Sequence, residues 1–172
     1  QFSKDKKPVI VWNMTQRCNL KCVHCYAHAV EVDGTDDINT EQAKAMIDDL
    51  AAFGAPVMLF SGGEPLVRKD LVELASHATG KGMRAVVSTN GTLITPQKAR
   101  ELKEVGLSYV GISLDGMEDV HDHFRCVPGA FKKALQGIAN CQAEGLKVGL
   151  RFTINKRNVA EIPGIFRLLK DL

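Results

Sequence analysis

No stretch of this 172-residue sequence approaches the roughly 18 to 20 consecutive apolar residues that a membrane span requires. The charged opening from Gln1 to Lys7 is followed by only a few apolar residues before Asn13, so no export signal stands there either. A surplus of one charge is also missing. Against 22 Lys and Arg stand 20 Asp and Glu, a formal charge of +2, with both signs spread along the chain. Without a basic arm or an acidic tail, the sequence offers nucleic acid no electrostatic footprint. A leading Met is absent too, Gln1 standing first, so a natural start upstream is expected. The expectation is a soluble, cytoplasmic protein with one domain over residues 1–172, because 45% hydrophobic content supports one sizeable core and the length is short for two.

What is present is a repeated grammar. Val9 to Trp12 reads as a strand that feeds a polar segment from Thr15 to Tyr26. Thr40 serves as the expected N-cap of a first helix, with Ala43, Met46, Ile47 and Leu50 at helical spacing and Gly54 as stop. Because Ala43 stands three residues after Thr40, no complete capping box is expected. Strands follow at Val57 to Phe60, Arg84 to Ser88, Tyr109 to Leu114 and Lys147 to Ile154, alternating with helices at Lys69 to Thr79, Pro96 to Val105, Ala130 to Glu144 and Val159 to Leu169. Five strand-helix units predict an α/β fold with a parallel sheet, closed as an open doubly wound sheet or as a full or partial barrel. The last strand would lie at an exposed parallel edge, so further strands or a partner are expected to cover it.

Polar and glycine residues gather after strand ends: Cys18 to Cys25, Ser61 to Glu64, Ser88 to Gly91 and Ser113 to Gly116. In parallel sheets that end is where sites are built. Five cysteines without an export signal do not make a disulfide framework, and three of them, Cys18, Cys22 and Cys25, fall within eight residues. Three thiolates can hold three irons of a cubane cluster and leave the fourth iron open. Zinc with His24 or His28 as fourth ligand is the competing metal reading, and three buried structural thiols is the third.

The run Cys18-Asn19-Leu20-Lys21-Cys22-Val23-His24-Cys25-Tyr26 resembles the CxxxCxxC signature of the radical S-adenosylmethionine superfamily, and Gly62-Gly63-Glu64-Pro65 resembles its GGE motif. With Ser88-Thr89-Asn90-Gly91 and Ile112-Ser113-Leu114-Asp115-Gly116, the resemblance covers nearly the whole chain. It implies a partial (β/α)6 TIM-like barrel, here about five β/α units. It also implies a 4Fe-4S cluster on Cys18, Cys22 and Cys25, whose open iron chelates S-adenosylmethionine. Reductive cleavage of that cofactor to a 5'-deoxyadenosyl radical, followed by hydrogen abstraction from a substrate, is the implied activity, with an electron donor such as flavodoxin or ferredoxin.

The resemblance also implies site residues. Gly62 and Gly63 would let the backbone approach a ligand, and Glu64 would accept hydrogen bonds from the cofactor's ammonium group; a tight turn with an acid at a helix start is the plainer reading of the same residues. Ser113 would touch the cofactor's carboxylate or ribose. Arg125 would pair with that carboxylate, its plainer alternative being a surface ion pair with Asp119 or Asp122. Asn90 would bind cofactor or substrate, or hold the Asn90-Gly91 turn, and Asp115 would contact ligand or brace its loop. His24 would lie near the adenine, with Leu150 or Phe152 packed against it. Cys126 replaces the more common glycine after the arginine and reads as a free loop thiol, while Cys141 reads as a core residue.

Val9 to Arg17 before the cysteines, and Tyr26 to Ala29 after them, resemble the haem-synthesis branch, including haem d1 synthesis. This implies an iron tetrapyrrole substrate whose side chains are modified, and a parent protein with a cysteine-rich C-terminal region for auxiliary clusters, which these 172 residues do not contain. A peptide-modifying maturase and a non-catalytic iron-sulfur scaffold or electron-transfer module are the alternatives.

Overall fold

A computed structural model describes residues 7–26 and 37–172. The opening residues, His28 and the rest of 27–36 lie outside the described residues. Five strands alternate with helices: β1 (Ile10–Asn13), α1 (Thr40–Phe53), β2 (Val57–Ser61), α2 (Leu71–Gly80), β3 (Arg84–Thr89), α3 (Pro96–Glu104), β4 (Tyr109–Ser113), α4 (Glu118–Arg125), α5 (Ala130–Ala143), β5 (Val148–Arg151) and α6 (Ile162–Asp171). Short 3-10 turns, Pro65–Val67 and Val159–Glu161, precede α2 and α6.

All four strand pairs are parallel, and the spatial order is β1-β2-β3-β4-β5. A doubly wound sheet requires a point at which that order reverses. Here every crossover steps the same way, which is the topology of a partial (β/α) barrel with its helices on one face. Met58, Phe60, Ala85, Val87, Val110 and Ile112 bury that face against Ile47, Leu71, Leu74, Leu102 and Ile138 of the helices. The buried runs of β3 and β4 are nearly continuous, as strands in the middle of a parallel sheet should be, whereas β1 and β5 are half open.

Helix ends follow local chemistry, with corrections to the sequence reading. The N-cap of α1 is Asn39, not Thr40, and its capping box is complete: the Asn39 side chain accepts from Gln42 N–H and the Gln42 side chain accepts from Asn39 N–H. Thr95 caps α3 as expected, and Gly54 ends α1 in the left-handed region. Gly80 is the last residue of α2 rather than its stop, and the turn is made by Gly82. Helix α4 was not expected at all. Its Asp122 carboxylate reaches the start of α5 and accepts from the N–H groups of Gly129 and Phe131, supplying the cap that Gly129 cannot. The interior of α5 sits close on the loop after β3: a Cβ on Gly137 would collide with the Gly91 carbonyl oxygen.

Among the described residues, no helix is long and apolar enough to cross a membrane.

Candidate functional site

The carboxyl ends of the strands converge on one cavity of about 230 Å³. Cys18, Cys22, Cys25 and His24 line it from the segment after β1, Ser61, Gly62 and Gly63 from the end of β2, and Ser88, Thr89 and Asn90 from β3. Ser113, Arg125 and Thr153 complete it. Nine of the sequence-derived site residues therefore share one wall, and two, Glu64 and Asp115, stand behind it.

The fold itself requires both glycines. A Cβ on Gly62 would collide with the Thr15 carbonyl oxygen and one on Gly63 with that of Arg17. Gly63 N–H donates to Thr15 O and Glu64 N–H to Arg17 O, each at 2.8 Å. The close approach is thus made to the backbone that carries the cysteines, which prolongs the β1–β2 pairing into the site.

Glu64 is fully buried, and its carboxylate is already engaged. One oxygen accepts from Leu66 N–H at 3.0 Å and Thr89 Oγ1 at 2.7 Å, the other from Asn90 N–H at 2.8 Å. Burial pushes its pKa up against those three bonds. Its partners in the protein are the two neighbouring loops. Asn90 lines the cavity and braces its turn: its side chain accepts from Thr92 N–H while donating to Asn19 Oδ1 at 2.9 Å. Asn19, between the first two cysteines, also donates to Thr92 Oγ1. The sequence reading passed over Asn19, although an amide inside a cysteine loop is a signal for such bracing.

Behind the cysteines lies a polar cluster. Arg125 pairs with Asp115 at 2.5 Å and donates to Cys22 Sγ at 3.4 Å. Its expected surface partners, Asp119 and Asp122, are not used, Asp122 being the cap of α5. Asp115 also lies 3.6 Å from His24 Nε2, and its backbone N–H donates to His121 Nδ1. His24 packs edge-on against Phe124, with ring centres 5.0 Å apart. Burial lowers the pKa of His24 and brings that of His121 down to about 4, with the Arg125 charge adding to both. Asn158, fully buried, ties the two last loops together by donating to the carbonyls of Asp115 and Thr153.

The three thiols influence one another without forming a single-ion site. Burial drives Cys18 up to about 11, opposed by the Leu20 N–H, with Glu64, Cys22 and Cys25 adding to the rise. Burial also raises Cys22, opposed by Arg125. Among the described residues, no three of His, Cys, Asp and Glu are gathered as ligands of one metal ion. The donor set fits an iron-sulfur cluster on chemical grounds: three soft sulfurs on one cavity wall, with Leu20 N–H and Arg125 Nη1 donating to sulfur, the type of bond that tunes such clusters. Of the remaining cysteines, Cys126 is exposed and Cys141 is buried in the core, as expected. Leu150 and Phe152, suggested for an adenine contact, are partly buried and pack against the hydrophobic core.

Comparison with known proteins adds a lineage to this geometry. The family model of the radical SAM superfamily matches residues 12–169. An Fe-coproporphyrin III synthase from Methanosarcina barkeri is 67% identical over 99% of the chain, and a pre-heme d1 synthase from Dinoroseobacter shibae is 44% identical over 96% of it. The chain spans 43% and 41% of those two proteins. The solved structure of native anSMEcpe with bound AdoMet superimposes on 94% of the chain, and on 47% of its own, with a TM-score of 0.79 at 22% identity, a likeness of fold.

Proposed function

This chain belongs to the radical SAM superfamily, and we propose that it is the core domain of an enzyme that modifies an iron tetrapyrrole. Cys18, Cys22 and Cys25 would hold the 4Fe-4S cluster, with S-adenosylmethionine beside it. When bound, the pair would supply one-electron cleavage of the sulfonium, giving methionine and a 5'-deoxyadenosyl radical that takes hydrogen from the substrate. The observation that carries the reading is the convergence of all three cysteines, the Gly62-Gly63 turn, Asn90, Ser113 and Arg125 on one cavity.

The chain's own residues would do the binding. Arg125, a fixed cation whose planar fork suits a carboxylate, would receive the cofactor's carboxylate while Asp115 holds it in place. Ser113, Asn90 and Thr153 offer hydroxyl and amide partners at the same wall. Glu64 would hold the two loops that carry these groups. The tetrapyrrole is supported by the two relatives, whose names both denote tetrapyrrole products. A cytoplasmic setting and a flavodoxin or ferredoxin as electron donor belong to the same reading, since half-buried thiols that hold a cluster need reducing surroundings.

The test is anaerobic loading with iron and sulfide, reduction, and electron paramagnetic resonance with and without S-adenosylmethionine. A reduced 4Fe-4S signal that changes on addition of the cofactor is expected. A stable cluster whose signal ignores the cofactor would overturn the reading and favour an electron-transfer scaffold.

A further inference from the structure

The face of the sheet away from the helices has a floor that the mechanism above leaves unused. Leu59, Val86 and Tyr109 lie in register across β2, β3 and β4. Nearer the site, Ser88 pairs with Gly111 and Gly111 with Gly149. These two facing glycines each lie under a side chain from the opposite strand. A Cβ on Gly111 would collide with Arg151 Nε, and one on Gly149 with the Tyr109 hydroxyl. Arg151 therefore reaches from β5 over β4, and Tyr109 from β4 over β5.

Arg151 is exposed, and its guanidinium has no ion pair or hydrogen bond among the described residues, unlike Arg68 and Arg125, each of which is bound to an aspartate. Its Cα partner is Ser113, and Thr153 follows two residues later; both line the cavity. A cation is thus laid flat over Gly111, two residues before the cavity-lining Ser113 on β4. A charge placed on an edge strand to discourage pairing would need only to point into water. It would not need a side-chain-free floor on the neighbouring strand.

A cavity of about 230 Å³ is small beside a tetrapyrrole, so a macrocycle would lie against this open face. We propose that Arg151 is a specificity-determining residue that anchors a side-chain carboxylate of the substrate there, with the Tyr109 hydroxyl as neighbouring donor; the inference rests on the tetrapyrrole reading. The fork of a guanidinium matches a carboxylate in two parallel hydrogen bonds, and the apolar row of Leu59, Val86 and Tyr109 suits the ring beside it.

The experiment is a visible-absorption titration of the full-length protein with iron coproporphyrin III and with its tetraamide, whose side chains are neutral. Arg151→Gln is expected to weaken binding of the acid about tenfold or more, the loss of one charged hydrogen-bond pair. For the tetraamide, native protein and variant should bind alike, and their thermal midpoints should coincide. Equal affinity of native protein and variant for the acid, or an equal loss for both porphyrins, overturns the assignment of Arg151 alone. Native protein that gives no spectral change with either porphyrin overturns the tetrapyrrole reading and this inference with it.

Discussion

The carboxylate of Glu64 accepts the backbone N–H of Asn90 at 2.8 Å, which ties the loop after β2 to the loop after β3. Replacing Glu64 by Gln leaves one acceptor oxygen but turns an amide N–H₂ towards a donor, either Asn90 N–H or the pair Leu66 N–H and Thr89 Oγ1. In a fully buried place, that mismatch should cost about 2 to 3 kcal/mol in denaturant unfolding. Cofactor affinity should fall with it, since Gly63 and Asn90 lie on the two loops. An unchanged unfolding midpoint would show that the carboxylate is not the brace described.

Gly137 and Gly80 make a matched pair of tests. Gly137→Ala would drive a Cβ into the Gly91 carbonyl oxygen, backbone against backbone, and should destabilise by about 1 to 3 kcal/mol. Gly80, at the end of α2, would place a Cβ within 4 Å of nothing, so Gly80→Ala should stabilise by roughly 0.5 to 1 kcal/mol. Thermal scans of the two variants should move in opposite directions.

Cys126 adopts φ 55° at the end of α4, making it the sole non-glycine residue with positive φ among those described. Cys126→Gly should relieve that strain and raise stability by about 1 kcal/mol. The same variant should load as much iron and sulfide as the native chain. Alanine at Cys18, Cys22 or Cys25 should abolish loading, and alanine at Cys141 should leave it intact while weakening the core. Elemental analysis after anaerobic loading reads all five.

His121 gives the protein an acid sensitivity. The folded chain keeps the ring neutral, with a pKa of about 4, because it is buried beside the Arg125 charge, whereas an unfolded chain protonates histidine near 6.5. Between those values the unfolded state binds more protons. The contribution is therefore fully present above about pH 6.5 and is lost as the pH falls towards 4, by up to about 3 kcal/mol. His121→Asn should start from lower stability at neutral pH and show a flatter loss on acidification. A slope identical to that of the native chain would assign the acid sensitivity elsewhere.

The strand ends were legible because two signals coincide there: apolar runs stop, and glycine, serine or cysteine follows, as at Ser61 to Glu64 and Ser113 to Gly116. Even the barrel-like order could be anticipated only through family resemblance, since Val57 to Phe60 reads the same in an open sheet. Helix α4 was missed because Glu118 to Arg125 is short and rich in charge, and its role depends on Asp122 reaching a helix start seven residues on. The true partners of Glu64 and Arg125 were hidden for a similar reason. Glu64 meets Asn90 across 26 positions and Arg125 meets Cys22 across 103, distances at which local pattern carries no information. Arg151 read as an ordinary strand residue; only the pairing of Gly111 with Gly149 reveals what it lies upon.

The unreversed strand order has a consequence for how the chain acquires its shape. Each strand pairs only with its predecessor and successor, so no pairing has to wait for a distant segment to arrive. Loop closure then costs about one β/α unit at every step, a modest entropic burden for a parallel sheet. Assembly can begin on the most deeply buried strands, β3 and β4, and grow outward in both directions.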